Sequence, residues 1–306
     1  MQADISMAMR RGIEVELHRP AEPRALLFCL PGGGMTRGYF TLGGDGSRYN
    51  FAAAMVRRGF AVALADQPGT GSNLGTGFDG DVMPADAAER FAAIARELAG
   101  ELGTRAVSVI GVGHSMGGVM IVMTAAAGAP FDGLILLGSN VEGLPEALLD
   151  QERPYAGRPG AFWPALPELA RQRRAQRPKS SEERAAETAR VGMRAEQFAG
   201  ENAAATALLS AVRAPLYTPG AIVSMMPGAL AASAAAVRIP VLLVRGEHDI
   251  GARAATAGAA FTGAPCEAVE LEGAGHNHFV TAAMPELIDT VTQWFERSVL
   301  GGDRQH

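Results

Sequence analysis

Between Ala25 and Leu137 the chain repeats one pattern, a short apolar run followed by a longer stretch of helical period. Ala25–Leu30, Phe60–Ala65, Ala106–Gly111 and Leu134–Leu137 are almost wholly apolar and too short for helices. Each reads as a strand buried on both faces. Ile13–His18 alternates apolar and polar residues and reads as a half-buried strand. The intervening stretches predict helices. Tyr49–Arg58 stops at Gly59, Pro84–Leu102 opens on a proline and puts Phe91, Ile94, Ala95 and Leu98 on one face, and Met116–Ala127 is apolar throughout. Strands that alternate with helices pair in parallel through right-handed crossovers. The expectation is an α/β fold with a mostly parallel central sheet flanked by helices. Reactive groups in such sheets gather beyond the carboxyl ends of the strands.

The pattern breaks from Val141 to Pro227, where no buried strand is legible. This part holds an Arg/Glu/Ala-rich helical portion, Glu168–Asn202, and proline joints at Pro154, Pro159, Pro164 and Pro167. The alternation then resumes with a helix at Ala229–Val237, strands at Val241–Val244 and Cys266–Leu271, and a closing amphipathic helix at Glu286–Leu300. The simplest organisation is a core of residues 1–140 and 228–306 with a helical insertion, 141–227, between two strands of one sheet.

Composition removes several classes of function. A net charge of −5 and a pI near 5.7 do not suit a nucleic-acid surface. Lys179 is the only lysine and sits in a polar stretch, which disfavours a phosphate loop or Schiff-base chemistry. Two cysteines, Cys29 and Cys266, provide neither a disulfide framework nor a structural zinc site. Met1–Met7 has no signal-peptide pattern, and no apolar run approaches a membrane span. The expectation is a cytoplasmic protein without metal or cofactor, with a homodimer as a candidate assembly.

The strongest local signal is Gly113-His114-Ser115-Met116-Gly117, a G-x-S-x-G pattern. With 38 glycines, chance alone yields it about 0.2 times in such a chain. Its context adds weight, because a buried strand precedes it and an apolar helix follows. A serine on a sharp strand-to-helix turn needs small neighbours and has helix N–H groups behind it. A hydroxyl is a weak nucleophile and needs a base. His276 and His278 share the loop after the last strand, and Gly275 gives the backbone freedom to aim His276. The base needs an orienting carboxylate. Asp249 follows the strand Val241–Val244, with Glu247 and Glu142 as competitors. For an oxyanion, the N–H of Met116 and that of Gly33, with Gly34 next, are candidate donors. The neighbours Arg37, Tyr39 and His114 are candidates for the pocket wall, as are Trp163, Tyr217, Met225 and Met226 from the insertion. Arg37 is also a candidate anchor for an anionic substrate group.

These motifs together resemble the α/β-hydrolase superfamily, in its serine esterase and lipase-like branch. Gly113-His114-Ser115-Met116-Gly117 resembles the nucleophile elbow, Gly246-Glu247-His248-Asp249 the acid loop and Gly273-Ala274-Gly275-His276 the histidine loop. Asp66-Gln67-Pro68-Gly69-Thr70-Gly71-Ser72 resembles a further family turn. The insertion falls where the family carries a cap or lid. Pro31-Gly32 stands where the family often has His-Gly. The resemblance implies a catalytic triad of Ser115, His276 and Asp249 that hydrolyses a small hydrophobic ester, thioester or lactone. A serine at the elbow argues against the dehalogenase and epoxide-hydrolase branches. Acyl transfer by the same serine, and a silent small-molecule binder, are the alternatives.

Overall fold

A computed structural model describes residues 4–102, 107–176 and 193–301. Lys179, His306 and the middle of the Glu168–Asn202 stretch lie outside the described residues.

The sheet has eight strands in the order β1-β2-β4-β3-β5-β6-β7-β8. These are β1 (Asp4–Arg10), β2 (Ile13–Arg19), β3 (Ala25–Leu30), β4 (Phe60–Ala65), β5 (Ser108–His114), β6 (Gly133–Leu137), β7 (Val241–Gly246) and β8 (Cys266–Leu271). From β4 to β8 all pairings are parallel, and β1 and β2 form an antiparallel edge. Strands β3, β4, β6 and β7 are buried along their whole length, as continuous apolar runs demand.

Strand β1 is absent from the sequence reading. Its Asp-Ile-Ser-Met-Ala-Met-Arg composition has weak strand preference, and Ile5, Met7 and Met9 are exposed. What makes it a strand is the turn. Arg11 and Gly12 both take positive φ, 53° and 79°, so that Arg10 pairs directly with Ile13. Two positive-φ residues between paired strands make the hairpin turn that matches strand twist.

Helices cover both faces. On one side lie α1 (Phe51–Arg57) and α8 (Met284–Trp294), whose Phe51 and Trp294 share a core with Leu27, Val112 and Phe279. On the other lie α2 (Pro84–Glu101) and α3 (Met116–Ala126). The insertion contributes α4 (Pro159–Ala175), α5 (Ala203–Ala211) and α6 (Thr218–Met225), and α7 (Ala231–Ala236) follows it on the way into β7. Phe162, Leu166, Tyr217 and Ile222 from the insertion join the cluster that contains Phe28, Phe91 and Met120. The insertion therefore shares the core of one sheet face.

Two expected proline joints are helical instead. Pro164 and Pro167 lie inside α4, both exposed, while Phe162, Leu166, Leu169 and Ala170 on the other side are buried. Proline removes a donor from the helix, but on the solvent side water satisfies the freed carbonyl.

Candidate active site

The turn from β5 into α3 carries Ser115 at φ 53° and ψ −122°. Arg11 and Ser115 are the only non-glycine residues with positive φ among the described residues. Such a backbone costs on the order of 1–3 kcal/mol and persists only when its surroundings enforce it. Here the Ser115 N–H donates to the Leu137 carbonyl at 2.7 Å and the Ser115 carbonyl accepts from Gly118 N–H at 3.0 Å. A side chain on Gly117 would strike the Leu30 and Pro31 carbonyls, and one on Gly113 the backbone of Gly117–Gly118. The glycines are there because the elbow packs backbone on backbone.

Asp249 and His276 meet across two loops. His276 Nδ1 lies 2.5 Å from Asp249 Oδ1, which also accepts the Ile250 N–H at 2.7 Å. Asp249 Oδ2 lies 3.2 Å from His278 Nε2. Burial alone would raise the Asp249 carboxyl, but the His276 and His278 imidazoles outweigh it and hold the group well below its ordinary value. A carboxylate accepts only, so the His276 Nδ1 that faces it carries a proton, and Nε2 points away from the pair. A side chain on Gly138 would lie 3.1 Å from His276 Nδ1 and 3.2 Å from its Cε1. Gly138 follows Leu137, whose carbonyl holds Ser115 N–H, so the ring stands beside the strand end that fixes the serine.

The His276 peptide is held as firmly as its ring. Its N–H donates to the Gln197 carbonyl at 2.6 Å, and its carbonyl lies 2.9 Å from His114 Nε2. Burial, then the neighbouring His276 and His278, drive His114 well below the ordinary histidine value, so it is neutral and donates through Nε2–H. Of the competing carboxylates, Glu247 accepts the Gly273 N–H at 2.9 Å, and Glu142 faces the buried Arg245 at 3.1 Å.

The glycine loop after β3 lies over the serine. A side chain on Gly32 would sit 3.2 Å from Ser115 Cβ, and one on Gly33 would sit 3.9 Å from Met116 Cβ and 2.9 Å from Leu216 Cδ1. Gly34, at φ 75°, accepts the Ala214 N–H at 2.9 Å, and the Thr36 N–H donates to Val212 at 2.8 Å. The strip 212–214 of the insertion is thus stitched to the loop. From below, Arg37 N–H donates to Asp66 Oδ1 at 2.6 Å. The Arg37 guanidinium binds Asp66 at 2.7 Å, Ser72 at 2.6 Å, Glu14 at 2.5 Å and Glu16 at 3.1 Å. Arg37 therefore props the loop, with each of its guanidinium nitrogens bonded to a carboxylate.

The other expected pocket residues fall in several places. Tyr39 is fully buried, 4.5 Å from the His114 ring and stacked on Phe279 at 4.7 Å, so it backs His114. Tyr217 is buried and its hydroxyl donates to Val82 at 2.7 Å. Met226 is buried, Trp163 packs against Phe162, and Met225 Sδ lies 2.9 Å from an Arg173 nitrogen. Nearer the site, and unforeseen, are Leu216 against Gly33 and Phe198, whose ring meets His276 edge-on at 5.4 Å. One signal existed: Phe198 is the only aromatic residue between Trp163 and Tyr217. Among the described residues no cluster of three or more His, Cys, Asp or Glu is arranged to hold a metal, and no helix is long and apolar enough to cross a membrane.

A family model described as the alpha/beta hydrolase family matches residues 27–290. The chain belongs to this family. No curated protein sequence matches it. Among solved structures this α/β hydrolase is similar to an esterase of M. tuberculosis, at 18% identity and a TM-score of 0.57 over 97% of this chain and 93% of that one. It is similar to the monoacylglycerol lipase of Paleococcus ferrophilus at 17% identity and a TM-score of 0.60, over 96% and 98%. A dienelactone hydrolase from Anabaena variabilis aligns at 13% identity and a TM-score of 0.54, over 98% and 100%. At these identities the likeness is one of fold.

Proposed function

We propose that the protein is a serine hydrolase that cleaves a small hydrophobic carboxylic ester, thioester or lactone through an acyl-serine intermediate. The observation that carries this reading is the Asp249–His276 pair, at 2.5 Å, with the imidazole beside the strand end that holds Ser115 in its strained turn. The names of the solved relatives, an esterase, a lipase and a lactone hydrolase, agree with acyl chemistry.

Ser115 Oγ attacks the acyl carbon while its proton passes to His276 Nε2. The oxyanion forms against the N–H groups of Met116 and Gly33, with Gly34 as the neighbouring donor. Met116 is the first residue of α3, where helix N–H groups have no partner within the helix. The tetrahedral intermediate collapses and the leaving alcohol or thiol takes the proton from His276. Water then attacks the acyl-serine and gives a proton to His276, and Ser115 Oγ leaves with that proton. Asp249 keeps the imidazole in the working tautomer and stabilises its cation. The insertion, 141–227, serves as the cap. Its Leu216 and Phe198, with Met116, give the site apolar walls that suit a hydrophobic acyl or alkyl group.

A fluorophosphonate probe tests this, because Ser115 Oγ must displace fluoride with His276 as base. The folded wild type labels at Ser115 and turns over p-nitrophenyl esters. S115A and H276A lose turnover by a factor on the order of 10⁶. H278A retains far more activity, because Asp249 and His276 remain. Folded wild type with Ser115 unlabelled overturns the proposal.

A further inference from the structure

We infer that Gln197, contributed by the insertion, is a positioning residue that locks the acid loop and the histidine loop into one rigid unit. The inference rests on the hydrolase reading above, whose acid–base pair it concerns.

Three observations converge on this residue. Its Nε2 donates to two consecutive carbonyls of the acid loop, His248 and Asp249, each at 3.2 Å. Its Oε1 accepts the Arg194 N–H at 2.8 Å, which settles the orientation of the amide and turns the nitrogen toward those carbonyls. Its own carbonyl accepts the His276 N–H at 2.6 Å. One residue therefore binds the backbone of the acid and the backbone of the base at once. The neighbouring Phe198 extends the contact, with its ring against His276 and its carbonyl accepting Asn277 Nδ2 at 2.6 Å.

Gly275 bears the mark of this brace. A side chain there would lie 2.5 Å from the Gln197 carbonyl, and Gly275 does not take positive φ. Its glycine is required by the approach of Gln197 rather than by an unusual backbone angle. The physical consequence follows from the chemistry of a dyad. Asp249 and His276 sit on separate loops, joined by their 2.5 Å side-chain bond, by His278 Nε2 on Asp249 Oδ2, and by the His248 N–H on the Ala274 carbonyl at 2.9 Å, and Gln197 adds a bond to the backbone of each of the two residues themselves. Loosening the brace lets the imidazole drift, and a misplacement of about 1 Å costs about 10²-fold in rate.

Any residue at 197 keeps the backbone carbonyl, so substitution isolates the side-chain half. Q197E preserves size and removes both donors, and Q197A removes the side chain. With the full-length protein and a p-nitrophenyl ester, both variants are expected to lose about 10- to 100-fold in kcat. KM stays within about twofold, since apolar walls and oxyanion donors are untouched. The second readout is the far-downfield NMR proton on His276 Nδ1, which moves upfield in both variants as the bond to Asp249 lengthens. Unchanged kcat with an unmoved resonance overturns the inference. So does a fall in kcat that tracks only a lowered Tm, with the resonance unmoved. If wild type itself neither labels at Ser115 nor hydrolyses any ester, the hydrolase proposal fails, and the resonance comparison still decides the brace.

Discussion

Gly32→Ala tests whether the glycine loop is poised over the nucleophile. The added Cβ would sit 2.7 Å from His114 Nδ1, 3.2 Å from Ser115 Cβ and 3.3 Å from His114 Cε1. Ordinary contact at these atoms begins near 3.5 Å, so the loop and His114 must separate by about 0.5–1 Å. His114 cannot yield. Its ring is buried, lies 4.5 Å from Tyr39, and is bonded through Nε2 to the His276 carbonyl. The loop therefore moves and carries the Gly33 N–H with it. Gly32 is not in the positive-φ region, so alanine adds no backbone strain. Overpacking costs about 1–3 kcal/mol of stability, which a domain of ordinary stability survives. Losing one oxyanion donor costs about 10²–10³-fold, and a displacement short of full loss implies about 10- to 100-fold in kcat. The assay is kcat against a short p-nitrophenyl ester, normalised to folded protein. The decisive control is a double-mutant cycle with H114A, which removes the obstructing ring. In that background Gly32→Ala costs less than about threefold, because the coupled pair is not additive. An equal penalty in both backgrounds refutes the steric account.

Two further outcomes follow from buried charge. Arg245 is almost fully enclosed and donates to Asn140 at 2.8 Å, Ile250 at 2.9 Å, Ser139 at 2.9 Å and Glu142 at 3.1 Å, so Arg245→Met strands several acceptors and lowers urea stability by about 3–5 kcal/mol. R245M/E142Q recovers part of that loss, and no recovery would show that the carboxylate contributes little. The Asp249 carboxyl is depressed in the folded state, so the stability it supplies is complete above the ordinary aspartate value of about 3.9 and is lost as pH falls through its lower folded value. Urea midpoints measured below about pH 4 therefore fall more steeply with acid in wild type than in D249N; parallel curves would contradict the assigned shift.

The residues most legible in the sequence are those whose local chain announces them. Ser115, Asp249 and His276 each follow a strand through glycine, and glycine marks the places where backbones crowd. The central strands are legible for a related reason, since burial on both faces writes continuous apolar runs. Strand β1 is not, because an exposed edge places no demand on side-chain polarity and its hairpin depends on two backbone angles. Arg37 misleads as a lone cation near the glycines. Its carboxylate partners come from β2 and from the turn after β4, a convergence that spacing along the chain does not encode. Gln197 is silent because its contacts run to backbone carbonyls and a backbone N–H, which every residue possesses.

Three imidazoles crowd this site, and their bonds sort them. His114 gives its Nε2–H to the His276 carbonyl, and burial keeps it neutral. His278 is fully buried and gives its Nε2–H to Asp249 Oδ2. Both present a buried Nδ1 with no hydrogen-bond partner. His276 alone pairs a proton-bearing Nδ1 on a carboxylate with an Nε2 directed away from it. The flanking histidines thus buttress the Asp249–His276 pair, His114 through the His276 carbonyl and His278 through the Asp249 carboxylate. Replacing either by a residue that stays positively charged would introduce a buried cation near Asp249 that competes with His276 for its carboxylate.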